Sequence, residues 1–248
     1  MSQILAKYCL RATLSDNSVD YELEPVCSHN YKARVHMVPI SSTALFSFPE
    51  RRLIRSMGRY SLLLSYCLNA IKDSFELGRF ALDRIGVYLA LDSGPVFDSA
   101  LKELASVNSS DLAVEFKKLV PPKQHLKTNF GIGAATIPIL LKSQGPINTF
   151  YNLRTGVKEA FDFAEFDIQR GAIDLAVVAS AFSGEDRLGC LRTSKKLGIA
   201  TLKEGAGIVL MGAGQNPINI WDELDVSSWE FGIASPLVNW ITSGKINE

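Results

Sequence analysis

Few residues of this chain combine a reactive type with a spacing that chemistry requires. The histidines are His29, His36 and His125. His29 and His36 fall among polar and turn residues, and His125 follows a proline pair. A Ser/His/Asp triad does not need neighbours in sequence, but no serine sits in a GxSxG elbow, and the histidines read as surface or loop residues. Asp162, Glu165 and Asp167 share one predicted helix. Paired carboxylates can carry protons, yet that helix is otherwise apolar. They read as a narrow solvated or interface stripe, with Asp162 within i,i+4 reach of Lys158. Cys9, Cys27, Cys67 and Cys190 form no CxxC pair, so a metal site is not expected. Gly131-Ile132-Gly133 and Gly205-Ala206-Gly207 complete neither phosphate-binding pattern and read as glycines of turns and close packing.

One stretch stands apart. From Gly145-Pro146 the chain reads as a strand over residues 147–153, then passes with almost no loop into a helix over Gly156–Gln169. Such a corner presents one side chain to the free amides and positive end of a helix, a setting that favours a thiolate. The residue placed there is Arg154. A guanidinium keeps its proton and cannot be a nucleophile, and its charge opposes the helix dipole.

The elements that position this corner follow from periodicity. Residues 4–14 read as a first strand, 15–45 as irregular, and 50–55 as a helical turn after Pro49. Residues 59–75 read as an amphipathic helix whose inner face carries Leu62, Leu63, Cys67, Ala70 and Ile71. Residues 84–91 are a strand, 96–105 and 111–119 helices, and 132–141 a short apolar helix. In the helix at the corner, Val157, Ala160, Phe161, Ala164 and Ile168 form one stripe, while Phe163 and Phe166 lie off it. A helix apolar nearly all round is expected to be buried on more than one side. Residues 172–181 and 206–211 read as further strands, apolar on both faces, as in a mostly parallel sheet covered by helices. The aromatic tail beyond residue 216 is expected to pack down.

Composition narrows the function classes. Lys+Arg and Asp+Glu are equal at 26 each and no basic run occurs, so no nucleic-acid or membrane-surface partner is indicated. No apolar run approaches the ~20 residues that span a bilayer, and no leader pattern is visible. The expectation is a cytoplasmic, reduced protein built as a single domain over residues 1–248.

Several pieces, in order, resemble the ketosynthase (thiolase-like) family. Residues 55–70 are similar to its "RMDRFTQYAL" helix, and Arg84-Ile85-Gly86-Val87 to its "RVGV" strand. Gly145-Pro146 matches its Gly-Pro, and Arg154 falls on its reactive cysteine. Gln169-Arg170-Gly171-Ala172-Ile173-Asp174 resembles its "QRGEAD" turn, and residues 203–210 its "GEGAGVLVL" strand entry. The likeness is strongest over residues 50–212. It implies the N-terminal half of a thiolase-like α/β fold, a mixed, mostly parallel sheet between helix layers, with no counterpart for the family's C-terminal catalytic histidines. Without nucleophile or histidine pair, condensation by this chain alone is not expected.

What the resemblance implies instead is a chain-length factor. This is the inactive partner that forms a heteromer with a catalytic ketosynthase and bounds the polyketide tunnel in type II (aromatic) synthesis. An aryl polyene ketosynthase partner, a free-standing acyl-thioester enzyme with another nucleophile and a structural stabiliser without effect on product are the alternatives. By position, the tunnel candidates are Val96, Phe97, Ala100, Leu101, Phe130 and Phe150. The partner-facing strand carries Asn148, Thr149, Phe150, Tyr151 and Asn152. No cofactor is expected to bind directly; the acyl chain arrives on the phosphopantetheine of an acyl carrier protein.

Overall fold

The computed structural model describes residues 2–23, 31–40, 57–72, 77–91, 110–119, 130–185, 187–214 and 228–243. Its main sheet is built from β1 (Ser2–Arg11), β4 (Ile85–Leu91), β5 (Ile147–Phe150), β6 (Leu175–Phe182) and β8 (Gly205–Ala213). The order across it is β1-β8-β6-β4-β5. β4 pairs in parallel with both β5 and β6, whereas β8 is antiparallel to β6 and β1. The sheet is therefore mixed, with its parallel character confined to the three strands around β4.

Helices cover both faces, which is why β4 and β6 are buried at every residue and read as continuous apolar runs. Alternate residues divide between two cores. Val87, Leu89, Val177, Ala179, Ile208 and Leu210 pack against α1 (Arg59–Lys72) and α3 (Phe130–Leu141). Tyr88, Ala90, Ala176, Val178, Val209 and Met211 pack against α4 (Gly156–Gln169) and α6 (Ser235–Thr242). A further helix, α2 (Leu112–Leu119), lies between β4 and α3 in sequence. The tail packs down as expected, with Phe231, Leu237 and Trp240 buried.

Three expectations need correction. The inner face of α1 is Leu63, Leu64, Cys67, Leu68 and Ile71, rotated from the predicted stripe so that Ala70 faces solvent. The region expected to be irregular contains β2 (Ser18–Leu23) and β3 (Tyr31–His36), which join β7 (Thr201–Lys203) in a second sheet ordered β2-β3-β7. The alternation Tyr31, Ala33, Val35 against Lys32, Arg34 is the period-two signal of a one-sided strand; Val35 and Leu202 pack with Phe182, Cys190 and Phe231, near α5 (Arg187–Leu197). His36, read as a loop residue, is buried in β3, its Nδ1 3.3 Å from the Asp16 carbonyl. His29, His125 and the helices expected over 50–55 and 96–105 lie outside the described residues.

The two sheets meet at Glu204, between β7 and β8. Its carboxylate is fully buried. Oε2 accepts the Val38 amide at 2.9 Å and Arg59 Nη2 at 2.7 Å; Oε1 accepts the Gly184 amide at 2.9 Å and Arg59 Nε at 3.1 Å. Arg59 Nη2 also donates to the Val38 carbonyl. The Glu204 backbone donates to the His36 carbonyl (2.8 Å) and accepts from Ala12 (2.9 Å). A buried charge is tolerable only when paired and hydrogen-bonded in this way. Glu204→Ala strands Arg59 and two amides, so it is expected to lower unfolding free energy by about 3–5 kcal/mol. Urea unfolding of the wild type and the variant measures this, and a loss below about 1 kcal/mol would contradict the assigned role.

Candidate functional site

β5 forms one border of the main sheet, in register with β4 through Val87↔Ile147 to Ala90↔Phe150. Its entry is set by Gly145, where a Cβ would stand 2.3 Å from the Ile85 carbonyl oxygen, so no other residue fits that approach. Pro146 follows, its carbonyl accepting the Val87 amide at 2.8 Å.

The strand ends at Phe150, sooner than expected, and residues 151–155 turn the chain onto α4. Leu153 points inward and is buried; Arg154 is exposed at the tip of the turn. Asn152 organises the turn. Its Oδ1 accepts the Arg154 amide at 3.0 Å and the Thr155 amide at 3.4 Å, and its carbonyl accepts the Gly156 amide at 2.7 Å. This Asx turn is a local alternative to continuing the strand. Thr155 Oγ1 donates to Glu159 Oε1 at 2.5 Å. Sequence reasoning missed that contact, although polar side chains four apart at a helix start lie within reach of each other. Among the described residues, Arg154 makes no salt bridge. The structure thus places the sequence-predicted arginine at the strand-to-helix corner.

The other end of α4 is clamped. Gly171 adopts φ +69°, closing the helix in the left-handed conformation. Arg84 reaches across to this turn: Nη1 donates to the Gly171 carbonyl at 2.7 Å, and Nη2 and Nε hold Asp174 at 2.6 and 3.1 Å. Inside, the buried Tyr88 hydroxyl donates to the Asp167 carboxylate, which also takes Arg170 Nη2 at 2.7 Å. Burial first, and then the Asp167 carboxylate, push the Tyr88 phenol well above its ordinary range. Asp167 is therefore a structural anchor. Asp162 is exposed and Glu165 half-buried, taking the Ser2 hydroxyl at 3.1 Å; partial desolvation by its neighbours is the main cause that raises the Asp162 carboxyl, outweighing Lys158.

The outer face of α4 differs from the expectation of burial on more than one side. Phe163 and Phe166 are 51% and 59% exposed. Phe150 is half-buried on the α4 side of the sheet, its ring 5.3 Å from that of Phe163. Asn148 and Thr149 are half-buried in β5; Tyr151 and Asn152 are exposed beyond it. Phe130 opens α3, on the other face of the sheet from α4. Val96, Phe97, Ala100 and Leu101 lie outside the described residues. Among the described residues, no group of His, Cys, Asp or Glu is arranged to hold a metal, and no helix is long and apolar enough to cross a membrane.

A five-stranded mixed sheet with a strand-to-helix corner opening a central helix defines an architecture with solved counterparts. The ketosynthase ApeO in complex with its chain length factor ApeC, from Xenorhabdus doucetiae, matches at TM-score 0.59 and 17% identity, over 87% of this chain and 59% of that one. AntDE:AntF, a type II PKS acyl-carrier protein in complex with its ketosynthase, matches at TM-score 0.55 and 14% identity, over 72% and 53%. The ishigamide ketosynthase/chain length factor matches at TM-score 0.53 and 16% identity, over 74% and 51%. The fold is the thiolase-like fold of the ketosynthases. No protein-family model matches the sequence, nor does any curated protein. The chain spans between half and three-fifths of the length of these ketosynthase-fold structures. Within that fold, the corner bearing Arg154 opens the helix packed on β4 and β6.

The Arg84–Asp174 clamp gives a pH test. The Arg84 hydrogen bond is the main cause that lowers the Asp174 carboxyl below its ordinary range. A lowered folded-state value means the stabilisation is complete above the ordinary aspartate range and is lost as pH falls through the folded-state value. Asp174→Asn is therefore expected to be less stable than the wild type near neutrality, with the gap closing as pH falls through and below the aspartate range. Urea midpoints of both proteins across pH 7 to 3 measure it; a pH-independent gap would contradict the assignment.

Proposed function

We propose that this chain is a non-catalytic partner subunit of a ketosynthase, and that it acts as a chain-length factor bounding a polyketide tunnel in type II synthesis. The observation that carries this reading is Arg154, at the corner of the ketosynthase fold where the resemblance puts the reactive cysteine. An arginine there cannot attack a thioester. The Thr155 hydroxyl beside it is exposed and donates to Glu159, and among the described residues no histidine stands beside it to act as a base.

The border of the sheet supports a protein partner. No strand covers the outer edge of β5 among the described residues. Ile147 of β5 and Tyr151 just beyond it are exposed, exposed Phe163 of α4 sets its ring 5.3 Å from that of Phe150, and Ile139 of α3 and Phe166 of α4 are exposed on the helices of the two sheet faces. An open edge offers unpaired backbone groups, and large exposed apolar side chains mark surfaces that are covered in an assembly. The ketosynthase of the pair supplies nucleophile and histidines; a carrier protein presents the growing chain on phosphopantetheine, and this chain binds no cofactor directly. Phe150, half-buried against Phe163, is the described candidate for a wall residue at that border.

Co-expression with an intact ketosynthase and its carrier protein tests this reading. The expected result is a stable heteromer that condenses, while this chain alone turns over no acyl thioester. Thr149→Pro removes an edge N–H and is expected to abolish co-purification while leaving the chain folded by circular dichroism. Phe150→Ala is expected to shift the product profile toward longer chains. An unchanged profile from an intact complex would reduce the role to structural support, and turnover by the isolated chain would overturn the proposal.

A further inference from the structure

The hydroxyl of Tyr60, in the first turn of α1, is sealed from solvent and makes no hydrogen bond among the described residues. Its ring packs half-buried against the core on the α1 side of the main sheet. Arg59 beside it is fixed to Glu204 just ahead of β8, and β8 begins opposite Phe182, the last residue of β6. Tyr60 therefore stands at the carboxyl edge of the parallel strands β4, β5 and β6. Tyr151, the first residue beyond β5, lies at the same edge and interacts with Tyr60. That edge is where open α/β sheets bind ligands. Burial, and then the Tyr151 phenol, raise Tyr60 well above the ordinary phenol range, so the group stays a protonated donor near neutrality. An unpaired hydroxyl in the interior costs roughly fivefold to a hundredfold in the folding equilibrium, a cost that a bound acceptor removes.

We propose that the Tyr60 hydroxyl is a binding group for a ketone oxygen, so that this chain favours a β-keto acyl chain over a reduced one. The fitting acceptor is neutral. The neighbouring cation, Arg59, is already engaged by Glu204 and by the Val38 carbonyl, so a buried anion would be left without a counter-charge. A carbonyl is such an acceptor. A chain built of two-carbon units without reduction carries one on alternate carbons, whereas a saturated or polyene chain offers none beyond its thioester. Discrimination comes from the cost of leaving the hydroxyl unpaired, as when a hydrogen-bonding pocket rejects an analogue that lacks its partner. Tyr60 is thus a specificity residue. The inference rests on the proposed function for the identity of the acyl chain; the need of the hydroxyl for an acceptor does not depend on it.

The 3-oxobutanoyl and butanoyl thioesters of N-acetylcysteamine differ only in one ketone and serve as probes, titrated calorimetrically into the full chain. The wild type is expected to bind the 3-oxobutanoyl probe about tenfold more tightly, the worth of one hydrogen bond to a group otherwise unpaired. Tyr60→Phe is expected to bind both probes alike, with the butanoyl affinity unchanged. Without a probe, Tyr60→Phe is expected to keep or raise the urea midpoint, because phenylalanine retains the ring and removes an unpaired polar atom. A fall in that midpoint would report an internal partner for the hydroxyl and overturn the inference. Equal binding of the two probes by the wild type, a preference that survives in Tyr60→Phe, or binding of neither probe at concentrations of about 10 mM would overturn it as well. No ketosynthase is needed, so a ketone preference without heteromer formation counts against the subunit reading alone, and a heteromer without that preference counts against this inference alone.

Discussion

The carboxylate of Glu204 is the interaction on which the arrangement of this chain depends. It lies in the dry interior where an unpaired charge is prohibitive, and its acceptor capacity is taken by Arg59 and by the amides of Val38 and Gly184. Those donors belong to three segments: the start of α1, the loop after β3 and the loop after β6. One buried acid thus joins the five-stranded sheet to the smaller sheet and to the helix covering one face. Such a junction specifies geometry more than it adds net stability, since a buried pair recovers little beyond its desolvation.

The corner at the start of α4 is built from the same kind of accounting for backbone groups. A strand that ends abruptly and feeds a helix leaves amides with no strand partner and no helical one. Asn152 satisfies them, Leu153 anchors the turn in the core and Arg154 is left facing outward. At the far end the Arg84 clamp and the Tyr88–Asp167 contact hold α4 against β4. The helix is therefore held at both ends and along its inner face, while its outer face keeps two exposed phenylalanines.

Much of this was legible in the residues themselves. The bounds of α4 coincide with those read from its stripe, and β4, β6 and β8 were visible as runs apolar on both faces. Arg154 at the corner was legible, although the strand stops at Phe150 and a five-residue turn, 151–155, stands where almost no loop was expected. β2 and β3 carried a readable alternation that their polar, turn-rich setting obscured. The rotation of the α1 face and the exposure of Phe163 and Phe166 were not readable, because burial depends on what lies opposite a side chain, and periodicity does not report that.

What the amino-acid order determined by itself is therefore local: periods of two and 3.6 that distinguish strand from helix, the glycine and asparagine that permit two turns, and an arginine in the turn ahead of α4. What only the tertiary structure decided is pairwise and distant. Glu204 meets Val38 across 166 positions and Arg59 across 145; Tyr88 meets Asp167 across 79. The sign and strength of those contacts come from the low dielectric and excluded water of a folded interior, an environment that exists only once the segments have been brought together.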